Sequence, residues 1–195
     1  MKWIVVGVAV PAGLIVLVVG IGALLPVAHT ATVERDVAGT PEEVWAVMTD
    51  VESFPAWRPG VESVERVEDA EGRVAWRETS RTGALTMAIT EHEPPHRMVT
   101  TIIDDDLPFG GTWTYVLEPR EAGDRGSAEG SPAGPSDGAG PGPPAGGTRI
   151  TITEDGEVYN PFFRFVSRFV LGYDGMMKSY LDGIEARMAA GEDGR

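Results

Sequence analysis

The residues able to do chemistry are few in this 195-residue chain. Its three histidines are His29, His92 and His96. His92 and His96 stand four residues apart but flank Pro94-Pro95, which breaks the helix that would aim both at one ion, and His29 lies far from them in sequence, so all three read as surface residues. Asp104-Asp105-Asp106 precedes Leu107-Pro108-Phe109-Gly110-Gly111. A hard cation such as calcium takes several oxygen ligands, but consecutive carboxylates do not converge on one ion, and no DxDxDG loop follows. A solvated acidic loop is the favoured reading, with no metal. Cysteine is absent, which removes disulfides and thiolate chemistry. Serine, histidine and aspartate occur without a nucleophile elbow or an ordered triad. Glu78 and Glu91 form a candidate carboxylate pair on neighbouring strands, Glu78 on the face of Val74 and Trp76, Glu91 on that of Leu85, Met87 and Ile89. Strand-end carboxylates usually reach solvent, so acid–base work by this pair is the minor alternative. No catalytic residue and no cofactor is expected.

The strongest feature is an aromatic and methionine set: Phe54, Trp57, Trp76, Met87, Met98, Trp113, Tyr115, Phe169, Tyr173, Met176, Met177 and Tyr180. Such a set is more often core than pocket. It is also how small-molecule sites are walled, with a few polar groups for orientation. Tyr115, Tyr173 and Tyr180 are the available polar handles.

Positioning them falls to a C-terminal helix over Asn160–Ala190, in one piece or two, with Asn160 as N-cap and Pro161 at the first helical position. Phe162, Val166, Phe169, Tyr173, Met177, Tyr180/Leu181, Ile184 and Met188 recur every three or four residues as one apolar stripe. Unbroken, it would run roughly 40 Å. Gly172 and Gly175 predict a kink, or two helices with Asp174 capping the second. Pro161–Leu171 is then either a flap over a cavity mouth or, as favoured, one arm of a fixed bend. Alternation predicts strands over Thr32–Ala38, Arg73–Thr79, Leu85–Glu91, Arg97–Ile103, Thr112–Glu118 and Thr148–Thr153. In Val61–Glu68 the valines are spaced by three, which predicts a bulge. Thr40-Pro41-Glu42-Glu43 is a capping box opening a short helix, and Phe54-Pro55-Ala56-Trp57-Arg58-Pro59-Gly60 breaks helical continuity before the sheet.

The order strand, T-P-E-E-V-W, then D-x-x-x-F-P-x-W-x-P-G-V (Asp50–Val61) resembles the START/Bet v1-like (SRPBCC) superfamily, particularly its bacterial polyketide cyclase/dehydrase and lipid-transport branch. Glu91–Val99, Asp104–Pro119 and Thr148–Phe169 extend the likeness, which covers about Ala31 to Ala190. It implies an α+β helix-grip fold, with a curved antiparallel sheet of about seven strands wrapped around the long C-terminal helix. It also implies a ligand cavity between the two, lined by the aromatic and methionine residues above other than Met176. The superfamily hosts carriers, hormone binders and aromatases, so fold alone does not choose among them.

Two segments lie outside that domain. Trp3–Ala28 carries no charge and exceeds the roughly 20 residues needed to cross a bilayer, so residues 1–28 are read as an uncleaved single-pass membrane anchor, with a cleaved signal or a buried helix as the alternatives. Lys2 and the N-terminal amine favour a cytoplasmic N-terminus and an extracytoplasmic domain. Residues 122–147 are more than half Gly and Pro, with no aromatic or branched aliphatic side chain, and are read as a disordered insert in a hairpin; residues 191–195 are read as a disordered tail. Sixteen basic residues against 30 acidic give a net charge of −14, which repels phosphate backbones and excludes nucleic acid as a partner. The expected function is membrane-anchored binding or transport of a hydrophobic small molecule, lipid-like or polyketide/isoprenoid-like. A cyclase, aromatase or dehydratase on a polyketide-like substrate is the alternative, drawing on Glu78, Glu91, Tyr115 and Tyr173. Protein partners are left open.

Overall fold

A computed structural model describes residues 2–69, 71–120 and 146–192, with side chains from 13 to 191 within those ranges. Residues 122–145 of the expected insert lie outside the described residues, as do residues 193–195. The chain opens with helix α1 (Lys2–Leu24). Strand β1 (Ala28–Ala38) follows almost at once. Among the described residues no helix is long and apolar enough to cross a membrane; the side chains of α1 are described only from Gly13 onward.

Helix α2 (Pro41–Thr49) starts where the capping box places it: the Thr40 hydroxyl accepts from the Glu43 amide at 3.3 Å, and the Glu43 carboxylate accepts from the Thr40 amide at 3.0 Å. These two bonds satisfy donors that a helix start otherwise leaves open. A 3₁₀ turn (Val51–Ser53) and the single turn α3 (Phe54–Trp57) lead to β2 (Ser63–Glu68). A meander then runs β3 (Val74–Ser80), β4 (Gly83–Glu93), β5 (Arg97–Ile102), β6 (Phe109–Arg120) and β7 (Gly147–Val158). The seven strands form one sheet in the order β1-β7-β6-β5-β4-β3-β2, with every neighbouring pair antiparallel. The helices α2 and α3 therefore carry the chain from one sheet edge to the other.

One face of the sheet packs on α5 (Gly175–Glu192), and the alternation sets which residues share it. Val33 and Val37 of β1, Ile150 and Ile152 of β7, and Tyr115 and Leu117 of β6 join Met177, Tyr180, Leu181 and Ile184 of α5 in a single buried cluster. The helix-grip expectation holds in this arrangement.

Three expectations do not hold. Val61–Glu68 carries no bulge, since residues 63–68 pair with β3 in unbroken register. The bulge lies in β4, where the register shifts between Ile89 and Glu91. The C-terminal stripe is inward-facing only in its second half. Helix α4 (Pro161–Val166) runs into a π-helical stretch (Ser167–Leu171), and the chain breaks at Gly172 before α5. Phe162 and Phe169, expected on the stripe, are 43% and 60% exposed. A wider π turn rotates the following side chains away from a 3.6-residue register, so the stripe cannot continue across it. Finally, α5 runs through Gly191 and Glu192, which were expected in the tail.

Gly172 adopts φ +73°, ψ 170°, a conformation that an L side chain opposes. Glycine suits the break for that reason, the geometry expected of a bend. Gly172→Ala is expected to cost about 1–2 kcal/mol, whereas Gly175→Ala, at the helical start of α5 with open space around its Cα, is expected to be neutral or slightly stabilising. Chemical denaturation of the two single variants checks the contrast.

Candidate ligand site between the sheet and the C-terminal helix

The inner face of the sheet carries a buried ion pair. Trp57 ends α3 and Arg58 turns extended (φ −82°, ψ 115°). That change of direction carries the guanidinium back over the core. Arg58 Nη1 donates to Glu78 Oε1, and the two side chains are only 11% and 8% exposed. The Trp76 indole N–H donates to the same Glu78 oxygen at 2.8 Å. The guanidinium carbon lies 5.0 Å from the Tyr180 ring centroid and 5.3 Å from that of Phe54. Both are within cation–π range. Taking two charges out of water is costly, and well-packed apolar residues of similar volume often do as well or better. Here the aromatic rings and the Trp76 indole N–H supply part of the compensation for that cost.

Two phenols border the pair. The Tyr115 and Tyr180 ring centroids are 5.7 Å apart and both residues are 3% exposed. Burial pushes the Tyr115 phenol up to about 12, with the Arg58 charge opposing the shift. Burial likewise pushes Tyr180 well above 10. Both are therefore neutral at physiological pH. Because the folded-state value of Tyr115 lies above its unfolded value, its contribution is fully present below pH 10 and is lost as pH rises from 10 towards 12. Tyr115→Phe should flatten that alkaline loss, by about 2–3 kcal/mol at the upper end, and pH-dependent denaturation measures it.

A second polar group sits towards the end of the sheet nearest α1. His29 Nε2 lies 3.2 Å from Glu154 Oε1, and the Trp113 indole N–H donates to Glu154 Oε2 at 3.1 Å. The His29 ring stacks on Tyr173, just past Gly172, with centroids 3.8 Å apart. Trp113 in turn is 6.1 Å from Tyr115 and 6.0 Å from Tyr180. A line of polar aromatics thus runs from the bend at Tyr173 through His29, Glu154 and Trp113 to the Arg58–Glu78 pair.

Of the residues expected to line a cavity, Phe54, Trp76, Met87, Met98, Tyr115, Met177 and Tyr180 are buried together, and Trp57 and Trp113 pack at the edge of that cluster. Tyr173 is half-buried against His29. Phe169 is misplaced, because the π turn directs it outward. Glu91 is misplaced as well. The extra residue in β4 turns it to the outer face, where it pairs with Arg97 at 3.0 Å and cannot approach Glu78. An open depression of about 480 Å³ lies away from these residues, between Gly39, Glu43 and Val47 on one side and Arg187 and Met188 on the other.

Sequence reasoning missed Arg58, Glu154 and His29. Glu154 was accessible to it, since it continues the inward phase of Ile150 and Ile152. Arg58 sits between prolines, where no periodicity speaks, and its role depends on the turn. His29, at the end of the apolar run, was read as surface, whereas β1 begins at Ala28 and carries its ring onto Glu154. Among the described residues no group of three or more His, Asp or Glu could hold a metal ion.

Similarity to known proteins agrees with this architecture. The START superfamily protein from Mycobacterium smegmatis superposes with a TM-score of 0.53 at 16% identity, covering 83% of this chain and 98% of that one. Norcoclaurine synthase from Thalictrum flavum, a point mutant in complex with a transition-state analogue, gives 0.57 at 14% identity over 85% and 97%. The di-domain ARO/CYC StfQ from the steffimycin biosynthetic pathway gives 0.57 at 13% identity over 87% of this chain and 53% of that one. At such identities the likeness shows the fold alone. No curated protein matches the chain in sequence. The sequence profile described as polyketide cyclase / dehydrase and lipid transport matches residues 28–189, and by that match over most of its length the chain belongs to this family.

Proposed function

We propose that the domain binds a hydrophobic small molecule between the sheet and α5, a lipid-like or polyketide/isoprenoid-like compound bearing an oxygen function. The observation that carries this is the Arg58–Glu78 pair buried in a cage of aromatic rings. An apolar body would be desolvated against Trp57, Trp113 and Tyr180, at about 25 cal/mol per Å² buried. Its oxygen would meet the donors of Arg58, Tyr115 or Tyr180. The mouth of this site is the end marked by His29 and Tyr173, whose rings stack there.

The uncharged run Trp3–Ala28 supports a membrane anchor for this domain, with α1 entering the bilayer and the domain on the extracytoplasmic side. With only three residues between α1 and β1, the tether would hold the mouth close to lipid.

A dansyl-labelled undecanoic acid tests the reading. Saturable fluorescence enhancement at one probe per chain is expected. Absence of saturable binding, or unchanged binding in an Arg58→Met/Glu78→Leu variant that folds, contradicts it. One observation favours a second reading as a cyclase- or dehydratase-type enzyme: His29 paired with Glu154 at the mouth is an acid–base couple of the kind proton transfer uses. Turnover of a polyketide-like substrate that is lost in His29→Phe would move the assignment there.

A further inference from the structure

The segment between β7 and α5 exposes what a soluble surface usually hides. Phe162 and Phe163 of α4 are 43% and 45% exposed, and Phe169, Val170 and Leu171 of the π stretch are 60%, 68% and 69% exposed. Scattered apolar residues need no explanation, but a contiguous patch of large ones marks an interaction surface. The charges in this stretch run against the rest of the molecule. The chain is at −14, yet from Asn160 to Tyr173 its charged residues are Arg164 and Arg168, with no acidic residue among them.

The patch is fixed to the end of α1. Gly22 lies so close to Pro161 that a Cβ there would meet the proline carbonyl oxygen at 1.8 Å. Arg164 Nη1 donates to the Leu25 carbonyl at 2.9 Å and Nη2 to the Tyr159 carbonyl at 3.2 Å. A cation there also complements the C-terminal end of the α1 dipole. Leu24, beside this joint, is 88% exposed. Where α1 ends, the patch begins.

We infer that Pro161–Leu171 is a second membrane element, lying in the interface of an anionic phospholipid bilayer with Phe162, Phe163, Phe169, Val170 and Leu171 among the acyl chains and Arg168 at the phosphates. This rests on the reading of α1 as the anchor, which brings the patch to the bilayer surface. A basic residue on an aromatic-rich amphipathic segment is how such elements hold to the interface. The π turn and the bend at Gly172 therefore serve to present this face outward, while α5 keeps its own face on the core. Tyr173 and His29 follow directly, so the mouth of the proposed ligand site lies at the depth of the lipid headgroups.

The chain lacks cysteine, so one introduced thiol labels a single position. Full-length Val170→Cys, Leu17→Cys and Glu93→Cys, each carrying an environment-sensitive NBD fluorophore, are reconstituted into phosphatidylcholine/phosphatidylglycerol vesicles. Glu93 closes β4 at the sheet end opposite α1 and serves as the aqueous control. The expected result is a blue-shifted emission at position 170, quenched several-fold more by shallow 5-doxyl lipid than position 93. A label at 170 that emits and quenches like position 93 overturns the inference. Position 17 reports separately on the anchor: deep quenching there beside a water-exposed 170 removes the second element and leaves the anchor standing, whereas no quenching at 17 removes the anchor. Arg168→Glu should also weaken the quenching at 170, and unchanged quenching in that variant overturns the assigned role of the charge.

Discussion

Arg58→Ala is expected to destabilise the domain by about 3–5 kcal/mol, because it leaves the Glu78 carboxylate buried without its counter-charge. Among the described residues, Glu78 would retain the Trp76 indole N–H at 2.8 Å as its side-chain partner. Domains of this size are stable by about 5–15 kcal/mol in all, so the loss is a large share of the total. The Arg58→Met/Glu78→Leu double variant removes both charges and should recover most of it. Denaturant unfolding of the single and double variants gives the answer. A single-variant loss below about 1 kcal/mol would mean that solvent reaches Glu78 in solution.

Trp57→Ala is the second large effect, expected at about 3 kcal/mol, the lower end for an aromatic deleted to alanine because the ring is partly exposed. Its ring lies 5.4 Å from Phe54 and 5.5 Å from Tyr180, and its indole N–H donates to Ser53 Oγ at 3.1 Å. It also seals the contact with α5, where a Cβ on Gly183 would come within 2.9 Å of the Trp57 carbonyl oxygen. The ring therefore closes α3 onto the helix and forms one wall of the aromatic cage at once. Calorimetry should show a lower Tm, and the dansyl probe should bind more weakly in the residual folded protein. A loss under 1 kcal/mol would place the ring outside the core.

Much of this architecture was legible because it rests on local rules. The capping box at Thr40 fixes the start of α2 without reference to anything distant. Inward alternation at Trp113, Tyr115 and Leu117 is a property of one strand. Where the outcome depends on a deviation from period, the sequence is silent. A single extra residue in β4 moves Glu91 to the far side of the sheet, and a single wide turn in the C-terminal segment moves Phe169 from core to surface. Neither leaves a compositional mark. The Arg58–Glu78 pair was illegible for another reason. Its partners stand 20 residues apart, on a turn and a strand that only the closed sheet brings together. Glu154 could be placed by phase, but its contact with His29 depends on β1 beginning at Ala28.

The most direct test of the central claim is the mass spectrum of what the purified full-length protein carries. Protein isolated from membranes in mild detergent and extracted with organic solvent should yield an amphiphilic compound near one per chain, enriched over the bulk membrane extract. The same extract from the Arg58→Met/Glu78→Leu variant should lack it. Recovery of membrane lipids in bulk proportion from both proteins, or of nothing from either, would contradict a ligand site between the sheet and α5.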